Sequence, residues 1–191
     1  YYNIINQIIK NKWYANISKN TIGYPQTELI LCHGDLHSNN ILINSSQNPI
    51  LIDYGNMGYK HWSTDICKLI VDLFIRGIDI DDYKYFSLST IEEWCPQAKQ
   101  LIKGIELSNS KPDGFRIAIN WLVANAKNIF PQYEQWEFQL GLALQFLKSS
   151  YKTMTLPPGK RVVCILSACS AIIEANNNIK EYVNNRKDNK K

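Results

Sequence analysis

Residues 31–56 read LCHGDLHSNNILINSSQNPILIDYGN, and no other stretch restricts the fold as much. Two apolar triplets, 41–43 and 50–52, flank NSSQNP, a turn-forming link of hairpin length. If the triplets pair antiparallel, Asn40 and Asp53 lie just outside the open end of the hairpin and become neighbours. An amide oxygen beside a carboxylate is a hard donor pair suited to Mg²⁺, which keeps several waters and takes its other ligands from substrate phosphates. Asp35 lies on the loop entering the hairpin, five residues before Asn40. A carboxylate there can accept a proton from an attacking hydroxyl.

Most of the remaining sequence carries a helical period. Ile4, Ile5, Ile8, Ile9 and Trp13 predict an amphipathic helix over 1–17, ended by a loop with Gly23 and Pro25. A short strand is expected over 28–32. Ser63 and Thr64 read as N-caps of a helix running to about Gly77, with Ile66, Leu69, Ile70, Leu73 and Phe74 as its apolar stripe. Further helices are expected over 88–107, 114–130, 134–151 and 160–184, separated by Pro131 and by Pro157, Pro158 and Gly159. Within them WEFQLGLALQFL is apolar on nearly all sides, which predicts a helix enclosed by others. The expected fold class is therefore α+β and mostly helical, with a small β-element embedded in one domain over 1–185.

Composition narrows the partners. With 191 residues and 45% apolar content the chain can bury one substantial core. Its net charge is +4, but Arg186, Lys187, Lys190 and Lys191 against Asp188 place +3 of it in the last six residues. Residues 186–191 are expected to be a disordered basic tail, and the nearly neutral body carries no nucleic-acid footprint. Five cysteines without a CxxC pair argue against a disulfide framework and fit a reducing, cytoplasmic setting. The longest apolar run, 162–173, falls short of the ~18 residues of a membrane span, so a core helix and no membrane partner are expected. A chain that begins at Tyr1 rather than Met is expected to be a fragment or a trimmed product.

The pattern H-G-D-x-x-x-x-N followed by I-D-Y-G resembles the catalytic core of the aminoglycoside phosphotransferase and choline kinase-like family, relatives of the protein kinases. HGDLHSNNIL and LIDYGN carry the resemblance, which covers residues 28–77. It implies a protein-kinase-like C-terminal lobe with a small catalytic β-hairpin, transferring a phosphoryl group from Mg-bound ATP, or another nucleoside triphosphate, to a hydroxyl acceptor. On that resemblance Asp35 is the catalytic base, Asn40 and Asp53 are the metal ligands, and His33 and His37 support the loop. Asp65, within DICKL, ties down the catalytic-loop backbone. Simpler readings exist for each: Asp35, Asn40 and Asp53 as turn residues, His37 as a loop hydrogen-bonding residue, and Asp65 as a first-turn acid favoured by the helix dipole.

The lobe that would cover a nucleotide is not visible in the sequence. Only 34 residues precede Asp35, and Gly23 and Gly34 are their only glycines, so no Gly-rich loop or strand lysine is present. An N-terminal lobe is expected to be absent from this chain and supplied upstream, leaving a noncatalytic kinase-like module that binds protein or nucleotide as the alternative. PPGKR is not a Walker A loop, because Arg161 stands where Ser or Thr is needed. D-x-H at Asp35 and His37 would suit a metallophosphoesterase, but no histidine follows His61. Cys32, the one cysteine beside a histidine, reads as a buried apolar residue. The acids at 79–82 with Glu92, Glu93, Glu134 and Glu137, or an aromatic box of Trp94, Trp121 and Trp136, would fit a cationic acceptor. Exposed helix faces and core packing are the simpler accounts of both.

Overall fold

The computed structural model describes residues 29–78, 88–107, 113–131, 133–151 and 155–188, the last six as backbone alone. The helix expected over 1–17 and the acids at 79–82 lie outside these residues. Among the described residues short strands come first: Leu29–Cys32 (β1), Ile41–Ile43 (β2), Pro49–Leu51 (β3) and Gly58–His61 (β4). Among the described residues α-helices follow at Ser63–Gly77 (α1), Leu88–Ile102 (α2), Gly114–Ile129 (α3), Gln135–Ser150 (α4) and Pro158–Asp188 (α5).

β2 and β3 form the antiparallel hairpin, with Ile41 opposite Leu51, Leu42 opposite Ile50 and Ile43 opposite Pro49. Asn44 closes the loop: its Oδ1 accepts from the backbone of Ser46 and of Asn48, both at 2.9 Å. Pro49 opens its strand, where the missing N–H is tolerated. The register differs by one residue from the expected pairing of 41–43 with 50–52. Ile52 N–H donates to the Asn40 carbonyl at 3.0 Å, so Ile52 faces Asn40 and Asp53 lies one step further along. β1 pairs antiparallel with β4, Leu29 opposite His61 and Cys32 opposite Gly58. Leu29 and Leu31 are exposed while Cys32 is buried and Ile30 packs on the core, the alternation of a half-covered strand.

α1 buries Ile66, Cys67, Ile70, Val71, Leu73, Phe74 and Ile75. Its N-cap position is Trp62, which makes no side-chain cap, rather than Ser63 or Thr64. Ser63 is instead inside the first turn with its hydroxyl on His61 Nδ1 at 2.8 Å. Trp62 is fully buried among Phe130 and Tyr133, with ring centroids 5.2 Å apart in each pair, and locks the start of α1 to the core. α2 ends five residues earlier than the expected Leu107, because Gly104 adopts φ +70°. Gly104 N–H donates to Leu101 and Ile105 N–H to Gln100, the paired bonds that close a glycine-ended helix.

α4 packs along α5 and against α1, while α5 also covers α2. Phe138, Leu142 and Phe146 of α4 are fully buried, but Leu144 and Leu147 are exposed, so the helix is not enclosed on all sides. Gly141 marks its close approach to α1: a Cβ there would lie 2.7 Å from Cys67 Sγ and from Ser63 Oγ. The segment Pro158–Tyr182 of α5 is long and apolar enough to cross a membrane by length and composition. Its Val163, Cys164, Ala168 and Ala171 are buried in the core cluster shared with α1, α2 and α4. α5 also runs through Asp188, so residues 186–188 are helical backbone rather than the start of a disordered tail.

Candidate active site

The loop between β1 and β2 is strapped to the body by a polar stripe on α1. Asp65, Lys68, Asp72 and Arg76 recur at spacings of three and four, which puts them on one side of the helix. Each of the four reaches the loop. Asp65 accepts the backbone N–H of His33 at 2.6 Å and of Gly34 at 2.8 Å, one on each carboxylate oxygen. Lys68 pairs with Asp35 Oδ1. Asp72 accepts from the N–H and the hydroxyl of Ser38 at 2.9 and 2.6 Å. Arg76 bonds Asp72 at 3.0 Å and reaches Asn39 Oδ1 at 3.0 Å.

The loop backbone needs this support because it turns sharply. Gly34 sits at φ +80°, and a Cβ on it would run into the Asn56 carbonyl oxygen and the Lys60 ammonium. His33 is 6% exposed, with Nε2 on the Ile52 carbonyl at 2.7 Å, so this nitrogen carries the proton and the ring ties the loop to the hairpin. Asn40 is also buried, and its Nδ2 donates to the Asp35 carbonyl at 3.0 Å. His37 Nε2 lies 3.8 Å from Asp35 Oδ2, and its Nδ1 is buried without a partner among the described residues. Burial works against the charged form of Asp72, but the Ser38 hydroxyl and N–H and the Arg76 guanidinium outweigh it and hold this carboxyl below its ordinary range.

Asp53 occupies the left-handed region at φ +63°, a conformation that Asp tolerates better than most residues. It is exposed, and its carboxylate makes no hydrogen bond or ion pair among the described residues. With Nδ2 of Asn40 committed to the loop, its Oδ1 is the amide atom left for a ligand. An amide oxygen and a carboxylate fit Mg²⁺ by donor type. Among the described residues no three His, Cys, Asp or Glu side chains cluster around a metal position.

Beside the loop lies a cavity of about 820 Å³, lined among others by Asp35, Lys60, Lys68, Trp136, Gln145 and Lys148. Glu137 is on its wall yet only 5% exposed, not a solvated helix acid, and accepts the Trp62 indole N–H at 2.7 Å. The three tryptophans considered above do not share a pocket. Trp94 is in the core edge-on to Phe74, Trp121 is 59% exposed, and only Trp136 lines the cavity. Burial first, then the negative charge of Asp65, pushes the Cys32 thiol up to about 11, which removes it as a nucleophile. Sequence reasoning passed over Lys60, Lys68, Asp72 and Arg76. The last three recur at helical spacing on the polar side of an amphipathic helix, a pattern that does not say which segment they meet.

The architecture, mostly helical α+β with two small antiparallel sheets, is compatible with a kinase-like C-terminal lobe. No curated protein and no solved structure matches the chain. Residues 10–88 match the model of the phosphotransferase enzyme family, a match consistent with the aminoglycoside phosphotransferase-like family and suggesting phosphotransferase activity in general.

Proposed function

We propose that the chain is the C-terminal lobe of a kinase-like phosphotransferase, moving a phosphoryl group from a Mg²⁺-bound nucleoside triphosphate, such as ATP, to a hydroxyl acceptor. A lobe or domain upstream would cover the nucleotide, and five free thiols suit a cytoplasmic setting. The observation that carries this reading is the strapped loop. His33, Gly34, Ser38 and Asn40 are all held by side-chain bonds, so Asp35 is presented to the cavity on a fixed backbone.

Asp35 takes the proton of the acceptor hydroxyl as the hydroxyl oxygen attacks the γ-phosphorus. The new P–O bond forms as the bond from that phosphorus to the bridging oxygen breaks, leaving its electron pair on the nucleoside diphosphate. Lys68 fixes the orientation of the Asp35 carboxylate. Asn40 and Asp53 would hold Mg²⁺, which when bound neutralises phosphate charge.

The same Lys68–Asp35 pair favours a second reading, a module that binds nucleotide or protein without turnover, because the base is already engaged. Incubating the full-length protein with Mg·ATP and a panel of hydroxyl acceptors, itself included, separates the two. ATP consumption that Asp35→Asn abolishes, with nucleotide binding retained, supports transfer. A folded sample that consumes no ATP under any condition establishes the second reading.

A further inference from the structure

The cavity beside Asp35 is not electrically balanced. Among the described residues its charged lining comprises Lys60, Lys68, Lys148, Asp35 and Glu137. Lys68 is matched by Asp35. Glu137 is turned into the protein, onto the Trp62 indole and within 3.5 Å of His61 Nε2. Lys60 and Lys148 make no ion pair among the described residues, so two positive charges on the wall are unmatched. An unused neutral amide lies on the same wall: Gln145 is 7% exposed and makes no hydrogen bond among the described residues. A buried donor left without a partner is unfavourable unless a ligand satisfies it. About 820 Å³ accommodates a small molecule.

We infer that the acceptor is an anionic alcohol, a small hydroxyl compound bearing a phosphate or carboxylate, whose charged group is held by Lys60 and Lys148 while its hydroxyl faces Asp35. This rests on the phosphotransferase reading above and specifies its substrate class. A cationic amino alcohol would meet two like charges at the wall and, among the described residues lining it, no unmatched acid.

The test is calorimetric titration of the chain, without nucleotide, using glycerol 3-phosphate, glycerate, glycerol and choline as probes. One or both anions should bind, more weakly at high salt, and the preference between them distinguishes phosphate from carboxylate. Glycerol and choline should not bind. The double variant Lys60→Gln, Lys148→Gln should lose on the order of tenfold in anion affinity with its melting temperature unchanged. Choline binding more tightly than either anion, or an anion affinity indifferent to the double variant, overturns the inference. Asp35-dependent transfer to choline would leave the phosphotransferase reading standing and remove only this acceptor class. Lysine-dependent anion binding with no ATP consumption by the full-length protein would do the opposite, keeping the anion site and removing transfer.

Discussion

Replacing Asp65 by Ala gives a quantitative test of the strapped loop. The substitution removes the acceptor of two backbone N–H groups, of His33 and Gly34, at 2.6 and 2.8 Å. Each orphaned donor costs about 1–3 kcal/mol, and because both bonds are only partly buried, water recovers some of it, giving a total of roughly 2–4 kcal/mol. An acid that served only the helix dipole in the first turn of α1 would account for about 0.3–1 kcal/mol. The two accounts are therefore separable by urea unfolding, since the larger figure is a substantial share of the roughly 5–15 kcal/mol that holds a typical domain together. Amide hydrogen exchange adds the local readout: the His33 and Gly34 amides should exchange faster in the variant, while amides in the middle of α4 change only with global stability. Lys103→Ala, which breaks a surface pair 3.7 Å from Glu174, is the control and should stay within about 1 kcal/mol of the parent. A loss below about 1 kcal/mol for Asp65→Ala, with exchange at the two loop amides unchanged, would refute the reasoning.

Gly141→Ala should destabilise the chain by about 1–3 kcal/mol in the same unfolding assay, since its methyl would meet Cys67 Sγ and Ser63 Oγ at 2.7 Å between packed helices; a neutral or stabilising effect would show that α1 and α4 can separate freely. Asp72 yields a pH dependence. Its folded-state value lies below the ordinary 3.8, so its stabilising contribution is complete above that value and is lost as pH falls through the depressed one. Asp72→Asn should therefore be less stable than the parent at neutral pH, with the gap narrowing on acidification below 3.8; a gap that widened in acid would contradict the assignment. Asp53→Ala should weaken Mg·ATP binding by the full-length protein in an equilibrium titration, and unchanged affinity would remove Asp53 from the metal site.

The parts of this fold readable in the sequence are those where a local pattern decides. The two apolar triplets around a turn-rich link marked the hairpin, and the stripe from Ile66 to Phe74 set α1 with its end at Gly77. The one-residue offset of the hairpin was not readable, because it depends on how Asn44 folds its loop. β4 was missed altogether: Gly58, Lys60 and His61 have little strand preference, and only pairing with β1 extends them. Ser63 has the chemistry of an N-cap, but His61 claims its hydroxyl. At the site, Asp35, Asn40 and Asp53 stood out as a dense polar pattern on a loop. Lys68, Asp72 and Arg76 did not, since an amphipathic helix is expected to carry charges on its far side and nothing local says which of them meet another segment.

The tethering of the loop along one face of α1 has a consequence for how this chain can change. An insertion or deletion of one residue between Asp65 and Asp72 would swing everything downstream by about 100° around the helix axis. Asp72 and Arg76 would then leave Ser38 and Asn39 together, while the core face of α1 would turn out of register in the same stroke. Point substitutions can be absorbed one tether at a time. A change of length there offers no intermediate, so this stretch should tolerate altered residues far more readily than an altered count.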